Sequence, residues 1–497
     1  MSEENIRIMQ LSDIHFHESS DGNTDNYRHS INCLKKIQGA FENESPNILV
    51  VSGDITNIGD KISLERAYQW LNDKIYVDGD YYGLSCQKKN IPIIAVPGNH
   101  DAFNASSSGA NYKRWQSSLE NFYSVFHDHT FSNRMGVDYD WHSAGTTNVF
   151  ICRLDSCYLG DNETEHLPGK LSLSRIAKGN FSKEQSAEIL KLYDAGIKGE
   201  LVNRDSSPIS SGDFMSSLKI LVMHHYLFEP PDEKAEELLH IKDKRTVFQN
   251  IAMSDFDILL CGHKHIADVH KYSYKDHFDE RGKVRIAFNH VRRSLGISSL
   301  PLLKDNENGQ NMGKLFRFLV GFLVLSKRDE GGLDAEHTNE IISILQRSLE
   351  SPLVLREELQ RYLKKKSNVS QAGLFDDDEI RELHEKIKDT FSSDERKKLS
   401  RVAITLKGLI ERLGGRPFVQ LIAGSSAKSS EHSNRSRALN TFEVSHDSKR
   451  QGTNFSYRRF LWDGEAVAQD GSKGNFMSPL EGDFFFPNDR IAALLEE

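Results

Sequence analysis

Ile6-Arg7-Ile8-Met9-Gln10-Leu11-Ser12-Asp13-Ile14-His15 is a mostly apolar run that stops at a carboxylate and an imidazole, and the chain repeats this pattern four more times. Ile48-Leu49-Val50-Val51 stops at Ser52-Gly53-Asp54, and Ile91–Val96 stops at Pro97-Gly98-Asn99-His100-Asp101. Ile220-Leu221-Val222-Met223 stops at His224-His225, and Ile258-Leu259-Leu260-Cys261 stops at Gly262-His263-Lys264-His265. Short runs of this kind read as strands covered on both faces. Helical patterns over Ser30–Phe41 and Ser63–Asp73 supply crossovers between the first three. The architecture is therefore α/β. The polar clusters all fall at carboxyl ends of strands, where an open α/β sheet builds its sites.

The chemistry of those clusters is coherent. Asp13, Asp54, Asn99, His15, His224, His263 and His265 offer two carboxylates, one amide oxygen and four imidazoles. Hard oxygens with borderline imidazole nitrogens suit Mn²⁺, Fe²⁺, Zn²⁺ or similar divalent ions, and no thiolate is recruited. Seven ligands exceed what one ion takes and fit two ions that share a bridging carboxylate.

Asp13-x-His15, Gly53-Asp54, Gly98-Asn99-His100-Asp101, His224 and Gly262-His263-x-His265 stand in an order that resembles the calcineurin-like metallophosphoesterase superfamily. Finer matches resemble its cyclic-nucleotide phosphodiesterase-like branch. These are Ser52 to Gly59 with the following helix carrying Glu65, Trp70 and Leu71, then Leu154-Asp155-Ser156, then Gly179 to Gln185. Relatives among the Ser/Thr protein phosphatases carry Glu after the Asn-His pair, where this chain has Asp101. The resemblance covers about residues 6–272 and 417–467.

The resemblance implies the roles. Asp13, His15 and His265 hold one ion, Asn99, His224 and His263 hold the other, and Asp54 bridges. Two such ions lower the pKa of a bridging water and clamp the phosphoryl oxygens of an ester during in-line displacement. His100 is the candidate for protonating the leaving alkoxide or orienting the phosphate, and Asp101 is expected to hold its ring. His225 is read as a support to the ligands or a substrate contact, and His17 as a substrate contact or a solvated side chain. Asp155 and Ser156 read as structural or as supports to the ligands, and Phe460 and Trp462 as core of the second sheet.

Composition fits a folded, water-soluble protein and not a disordered one, with 38% hydrophobic and 27% charged residues. A net charge of −9 gives no global attraction to polyanions, so local charge, such as bound cations, must draw in a phosphate ester. Cys33, Cys86, Cys152, Cys157 and Cys261 show no C-x-x-C spacing and read as buried thiols. No basic-then-apolar leader precedes Ile6, and the apolar run Leu315–Leu325 contains Arg317 and is too short to span a bilayer. A cytoplasmic protein with no membrane partner is expected.

Residues 273–416 depart from the family pattern. Helical periodicity runs through Ile341 to Leu349, through Leu383, Ile387 and Phe391, and through Val402 to Leu413, closed by Gly414-Gly415. The basic tract Arg361–Lys366 reads as a solvated helix face before a phosphate-backbone contact. The organisation is thus a core over 1–272, a mainly helical insertion over 273–416, and strands completing the core with a tail over 417–497. The fold expected is a four-layer αββα sandwich of two mixed sheets. The activity expected is hydrolysis of a phosphodiester such as a cyclic nucleotide. A nuclease acting on DNA or RNA is the enzymatic rival, and a phosphoesterase-fold scaffold the non-enzymatic one.

Overall fold

The computed structural model describes residues 5–16, 24–77, 79–102, 112–126, 136–158, 179–227, 247, 254–263, 265, 267–273, 417–424, 426, 437–462 and 480–488. Contacts divide the chain into two units, Met1–Tyr272 with Pro417–Asp489 and Ser273–Arg416 with Arg490–Glu497. Apart from Ser273, the described residues belong to the first. The helical periodicity and the basic tract read within 273–416, and His17, lie outside the described residues.

Strands β1 (Ile6–Leu11), β2 (Ile48–Ser52) and β5 (Ile93–Val96) are the first three apolar runs, and they pair in parallel. The crossovers are α1 (Thr24–Glu44) and α2 (Lys61–Asn72), the latter started by Asp60, whose carboxylate accepts the Ser63 N–H at 2.9 Å. A short hairpin, β3 (Ile75–Val77) and β4 (Asp80–Tyr82), follows α2. Then α3 (Tyr112–Val125) precedes the antiparallel pair β6 (Val137–Ala144) and β7 (Thr147–Leu154). Helices α4 (Lys183–Ile197) and α5 (Ser211–Ser216) lead to the parallel strands β8 (Leu218–Val222) and β9 (Ile258–Cys261).

The remaining strands are β10 (Asp268–Ser273), β11 (Pro417–Ile422), β12 (Arg437–Asp447), β13 (Gly452–Trp462) and β14 (Leu480–Pro487). One sheet has the order β14-β13-β12-β1-β2-β5 and the other β10-β11-β9-β8-β7-β6. Segments on both sides of residues 273–416 therefore complete both sheets. β11 lies parallel beside β9, and β12 antiparallel beside β1.

The two sheets face each other. Ile6, Ile8, Ile48, Val50, Ile94 and Val96 of the first pack on Val149, Ile151, Ile220, Val222, Leu260 and Leu421 of the second. Alternate residues of the first sheet, Met9, Leu11, Leu49 and Val51, turn outward against Ile37, Phe41, Trp70, Leu71 and Phe122 of the helices. On the outer side of the second sheet, Phe150 packs against Phe214 of α5, which also meets Tyr193 of α4. The layers are helix, sheet, sheet, helix.

Phe460 differs from its expected place. Its strand β13 joins the first sheet, and its ring packs with the helix-facing cluster. The side chain of Trp462 lies outside the described residues.

Candidate metal centre

The loops after β1, β2, β5, β8 and β9 meet at one end of the sandwich, and their backbones are tied together before any side chain is considered. Asp13 N donates to Gly53 O and His15 N to Asp54 O, each at 3.0 Å, and Gly262 N donates to His224 O at 3.0 Å. Asp13, His15, Asp54, His263 and His265 all adopt left-handed backbone, with φ of 50°, 48°, 49°, 77° and 57°. Asp and His tolerate this region better than most residues, and such conformations persist where the surroundings over-determine them. Close approach is enforced at Gly98, where an added Cβ would stand 2.2 Å from both the N and Oδ1 of Asp54. The same holds at Gly262, where it would stand 1.8 Å from Ser12 Oγ.

On this scaffold seven side chains converge in two groups that share Asp54. Ligand atoms of Asp13, His15, Asp54 and His265 lie within 4.8 Å of one another, as do those of Asp54, His224 and His263. In the first group His15 Nε2 is 3.1 Å from His265 Nε2, which is 3.2 Å from Asp13 Oδ1. In the second, His224 Nε2 stands 3.0 Å from Asn99 Oδ1, 3.1 Å from His263 Nδ1 and 3.4 Å from Asp54 Oδ2. All but His265 and Asn99 are buried.

This arrangement fits divalent ions. His224 Nδ1 lies 2.9 Å from Ser52 O, a carbonyl that can only accept, so that nitrogen carries the proton and Nε2 turns a lone pair toward the cluster. That lone pair faces an amide oxygen and a carboxylate oxygen, both acceptors. Only a cation reconciles them. With a proton alone to serve, burial opposes a charge on His224, yet Asp54, Asp13 and the Ser52 carbonyl together outweigh it and lift the ring to about 9. Burial, reinforced by that neighbouring charge, pulls His263 down to about 3. Against burial, His224, His100 and His15 hold Asp54 well below the usual carboxylate range. His265 and then His224 likewise hold Asp13 low against its burial. His263 Nε2 is buried with no hydrogen-bond partner among the described residues.

Around these donors sit residues that fix them. Ser12 Oγ donates to Asp13 Oδ2 at 2.6 Å, and His263 N donates to the same oxygen at 3.1 Å. His100 N donates to Asp54 Oδ1 at 2.7 Å. The ring of His100 is held by a backbone carbonyl, with Nδ1 3.0 Å from Asn57 O, and Asp101 is engaged elsewhere. The Asp101 carboxylate accepts Ile55 N and Gly98 N at 3.0 Å and Thr56 N and Thr56 Oγ1 at 2.8 Å. It therefore ties the loop after β2 to the loop after β5 and does not orient the imidazole. Burial and then Asp54 push Asp101 up to about 6, against four donors that favour its ionised form. His225 is fully buried, with Nδ1 2.8 Å from Ser156 Oγ.

Ser12, Asn57 and a buried polar seam escaped the motif reading. In the seam, Gln10 Nε2 donates to Ser52 Oγ at 3.0 Å and Cys261 O at 3.1 Å, and Asn440 Nδ2 donates to Gln10 Oε1 at 3.0 Å. Arg459 completes it through Asn440 Oδ1 at 3.0 Å, Asp268 O at 2.9 Å and Ile422 O at 3.2 Å. The signal among these was Gln10, a polar residue at a buried position of the mostly apolar run Ile6–Leu11. All five cysteines are buried, and no helix among the described residues is long and apolar enough to cross a membrane.

The family model for calcineurin-like phosphoesterases matches residues 6–267. No curated protein matches the chain. Among solved structures, the chain is similar to a purple acid phosphatase from yellow lupin (Lupinus luteus) seeds at 16% identity and a TM-score of 0.30. That match covers 54% of this chain and 39% of the lupin chain.

Proposed function

The chain belongs to the calcineurin-like phosphoesterase family of metal-dependent phosphoric ester hydrolases, and we propose that it is a phosphodiesterase of the cyclic-nucleotide-cleaving type working with two divalent ions. The observation that carries the two-ion reading is the pair of donor groups sharing Asp54, and the diesterase reading is supported by the resemblance of Ser52 to Gly59, Leu154 to Ser156 and Gly179 to Gln185. Asp13, His15, His265 and Asp54 hold one ion, and Asn99, His224, His263 and Asp54 hold the other. Manganese, iron or zinc suits the mixed oxygen and imidazole donors. When bound, two such ions supply an activated water near neutral pH and positive charge for the phosphoryl oxygens.

The chain's own residues do the rest. Asn99 contributes a neutral oxygen, which leaves the centre more cationic toward an anionic ester. The Asn57 carbonyl keeps a proton on His100 Nδ1, so Nε2 is the atom that exchanges a proton with substrate. In the imidazolium form His100 donates from Nε2 to the leaving alkoxide while Nδ1–H stays on Asn57 O. Its backbone N–H, on Asp54 Oδ1, keeps that donor in register with the shared carboxylate. A reducing, cytoplasmic compartment suits five buried cysteines.

The test is metal content with a substrate panel. The purified protein, loaded separately with Mn²⁺, Fe²⁺ or Zn²⁺, should hydrolyse bis(p-nitrophenyl) phosphate and a 3′,5′-cyclic nucleotide faster than p-nitrophenyl phosphate. Asp54→Asn should lose most turnover and bind fewer ions. Full occupancy and undiminished turnover in that variant would sink the shared-carboxylate assignment. Preference for the monoester would sink the diesterase reading.

A further inference from the structure

The stretches Leu154-Asp155-Ser156 and Gly179 to Gln185 hold no donor of the metal centre, yet both close around one side chain beside it. Ser156, just after β7, places Oγ 2.8 Å from His225 Nδ1 and accepts the His225 backbone N–H on the same oxygen at 3.3 Å. One hydroxyl thus holds both the backbone and the ring of His225, whichever of the two atoms carries the proton between them. Gly179 lies flat on the ring, for a Cβ there would stand 2.5 Å from His225 Cγ.

The serine is itself anchored from two sides. Asn180 N donates to Ser156 O at 2.8 Å, and Gln185 Nε2 donates to Asp155 O at 2.7 Å. Gln185 is held in turn by a capping box with Ser182 at the start of α4. His225 is fully buried, with its ring centroid 4.5 Å from that of His263 at a tilt of 50° and 5.1 Å from that of His224. The His225 ring is thus a fixed wall against a donor whose backbone is held at a φ of 77°.

We propose that Ser156 and His225 are positioning residues that brace the His263 imidazole, and so set the affinity of the ion held by Asp54, Asn99, His224 and His263 while leaving the other ion untouched. The proposal rests on the two-ion reading of the site. The first group is tied to His263 through its backbone and not its ring: Ser12 Oγ and His263 N donate to Asp13 Oδ2, and His15 N donates to Asp54 O. Loss of the Ser156 hydroxyl frees the His225 ring to turn and withdraws the wall from one group only.

The experiment is a Co²⁺ titration of the full-length metal-free protein followed by visible absorption, with thermal unfolding of the metal-free form in parallel. Wild type should take up two ions. Ser156→Ala should bind one ion within about twofold of wild type and the other about 10–100-fold more weakly, as loss of a hydrogen-bonding support to a ligand does. Its absorption change should be confined to the weakened ion. Ser156→Cys, which keeps volume and a weak donor, should fall between them, and it carries the test should the alanine variant not fold. Two ions bound as in wild type in both variants, or both ions weakened equally, overturns the brace alone. A wild type that takes up fewer than two ions overturns the two-ion reading and the brace with it.

Discussion

Asp101→Asn separates two roles for the residue after the Asn99-His100 pair, because the amide can copy a carboxylate's shape but not its four acceptances. Asp101 takes Ile55 N and Gly98 N on Oδ2 and Thr56 N and Thr56 Oγ1 on Oδ1. An amide placed with oxygen toward Thr56 turns its NH₂ to two backbone donors and orphans both. Flipped, its oxygen keeps Ile55 and Gly98, the Thr56 hydroxyl rotates to accept, and only Thr56 N is stranded. The flipped form is cheaper. One buried, unsatisfied N–H costs about 1–3 kcal/mol, and each bond kept loses about 1 kcal/mol as its acceptor becomes neutral.

The hydrogen-bond loss is about 3–5 kcal/mol, offset in part because the amide removes a charge that burial and Asp54 oppose, and it is set against the roughly 5–15 kcal/mol that holds a typical domain together. Urea unfolding of the metal-free protein, followed by circular dichroism, should show this loss. Metal content should fall with it, since Gly98 and Ile55 frame Asp54. A variant as stable as wild type to within about 1 kcal/mol, with turnover lost and both ions bound, would refute the reasoning. It would return Asp101 to the part of an imidazole orienter.

His100→Ala should keep both ions and lose about 10²–10⁴-fold on a ribose or alkyl ester, but far less on a p-nitrophenyl ester, whose leaving group needs no proton. Equal losses on the two, in parallel steady-state assays, would give His100 a binding role. Deleting residues 274–416 and joining Ser273 to Pro417 should leave a folded, metal-binding core. β10 and β11 are neighbours in the second sheet, and closing a loop between sheet neighbours costs little entropy; insoluble product would mean that the removed segment helps form the core. Burial raises Asp155 to about 6, against the hydroxyl of Tyr123, so the folded protein takes up a proton before the unfolded chain does. Stability relative to Asp155→Asn should therefore rise as pH falls from about 6 to about 4, by up to about 3 kcal/mol, and be flat above that window. A pH-independent difference in urea midpoint would remove Asp155 as the titrating group.

What was legible in the chain followed from burial on two faces. β1, β2 and β5 are covered by sheet on one side and helix on the other, and β8 and β9 are buried along their whole length, so their runs are continuous and their polar ends stand out. Edge and half-exposed strands have no such contrast. Val137–Ala144, Asp268–Ser273 and Leu480–Pro487 mix charges with aromatics and were not distinguished as strands. All three lie at sheet edges, β14 at one edge of the first sheet and β10 and β6 at the two edges of the second.

The donors of the site were legible because a metal demands particular atom types at strand ends, whereas the atoms that hold those donors are mostly backbone. Asn57 O on His100, Ser52 O on His224 and the three backbone donors on Asp101 have no residue signature, since almost every residue offers the same carbonyl and N–H. Where support does come from side chains, the partners are remote. Gln10 meets Asn440 across 430 positions, and Arg459 lies 4% exposed with three carbonyl-type oxygens for company. Burial pulls its guanidinium down to about 10, so the chain accepts a strained cation there. The return is that β1, β9, β11 and β13 are locked to one another beside Asp13 and His263. A centre whose donors must converge from five loops needs its strands held to fractions of an ångström. A hydrogen-bonded seam fixes register where apolar packing alone would tolerate slip.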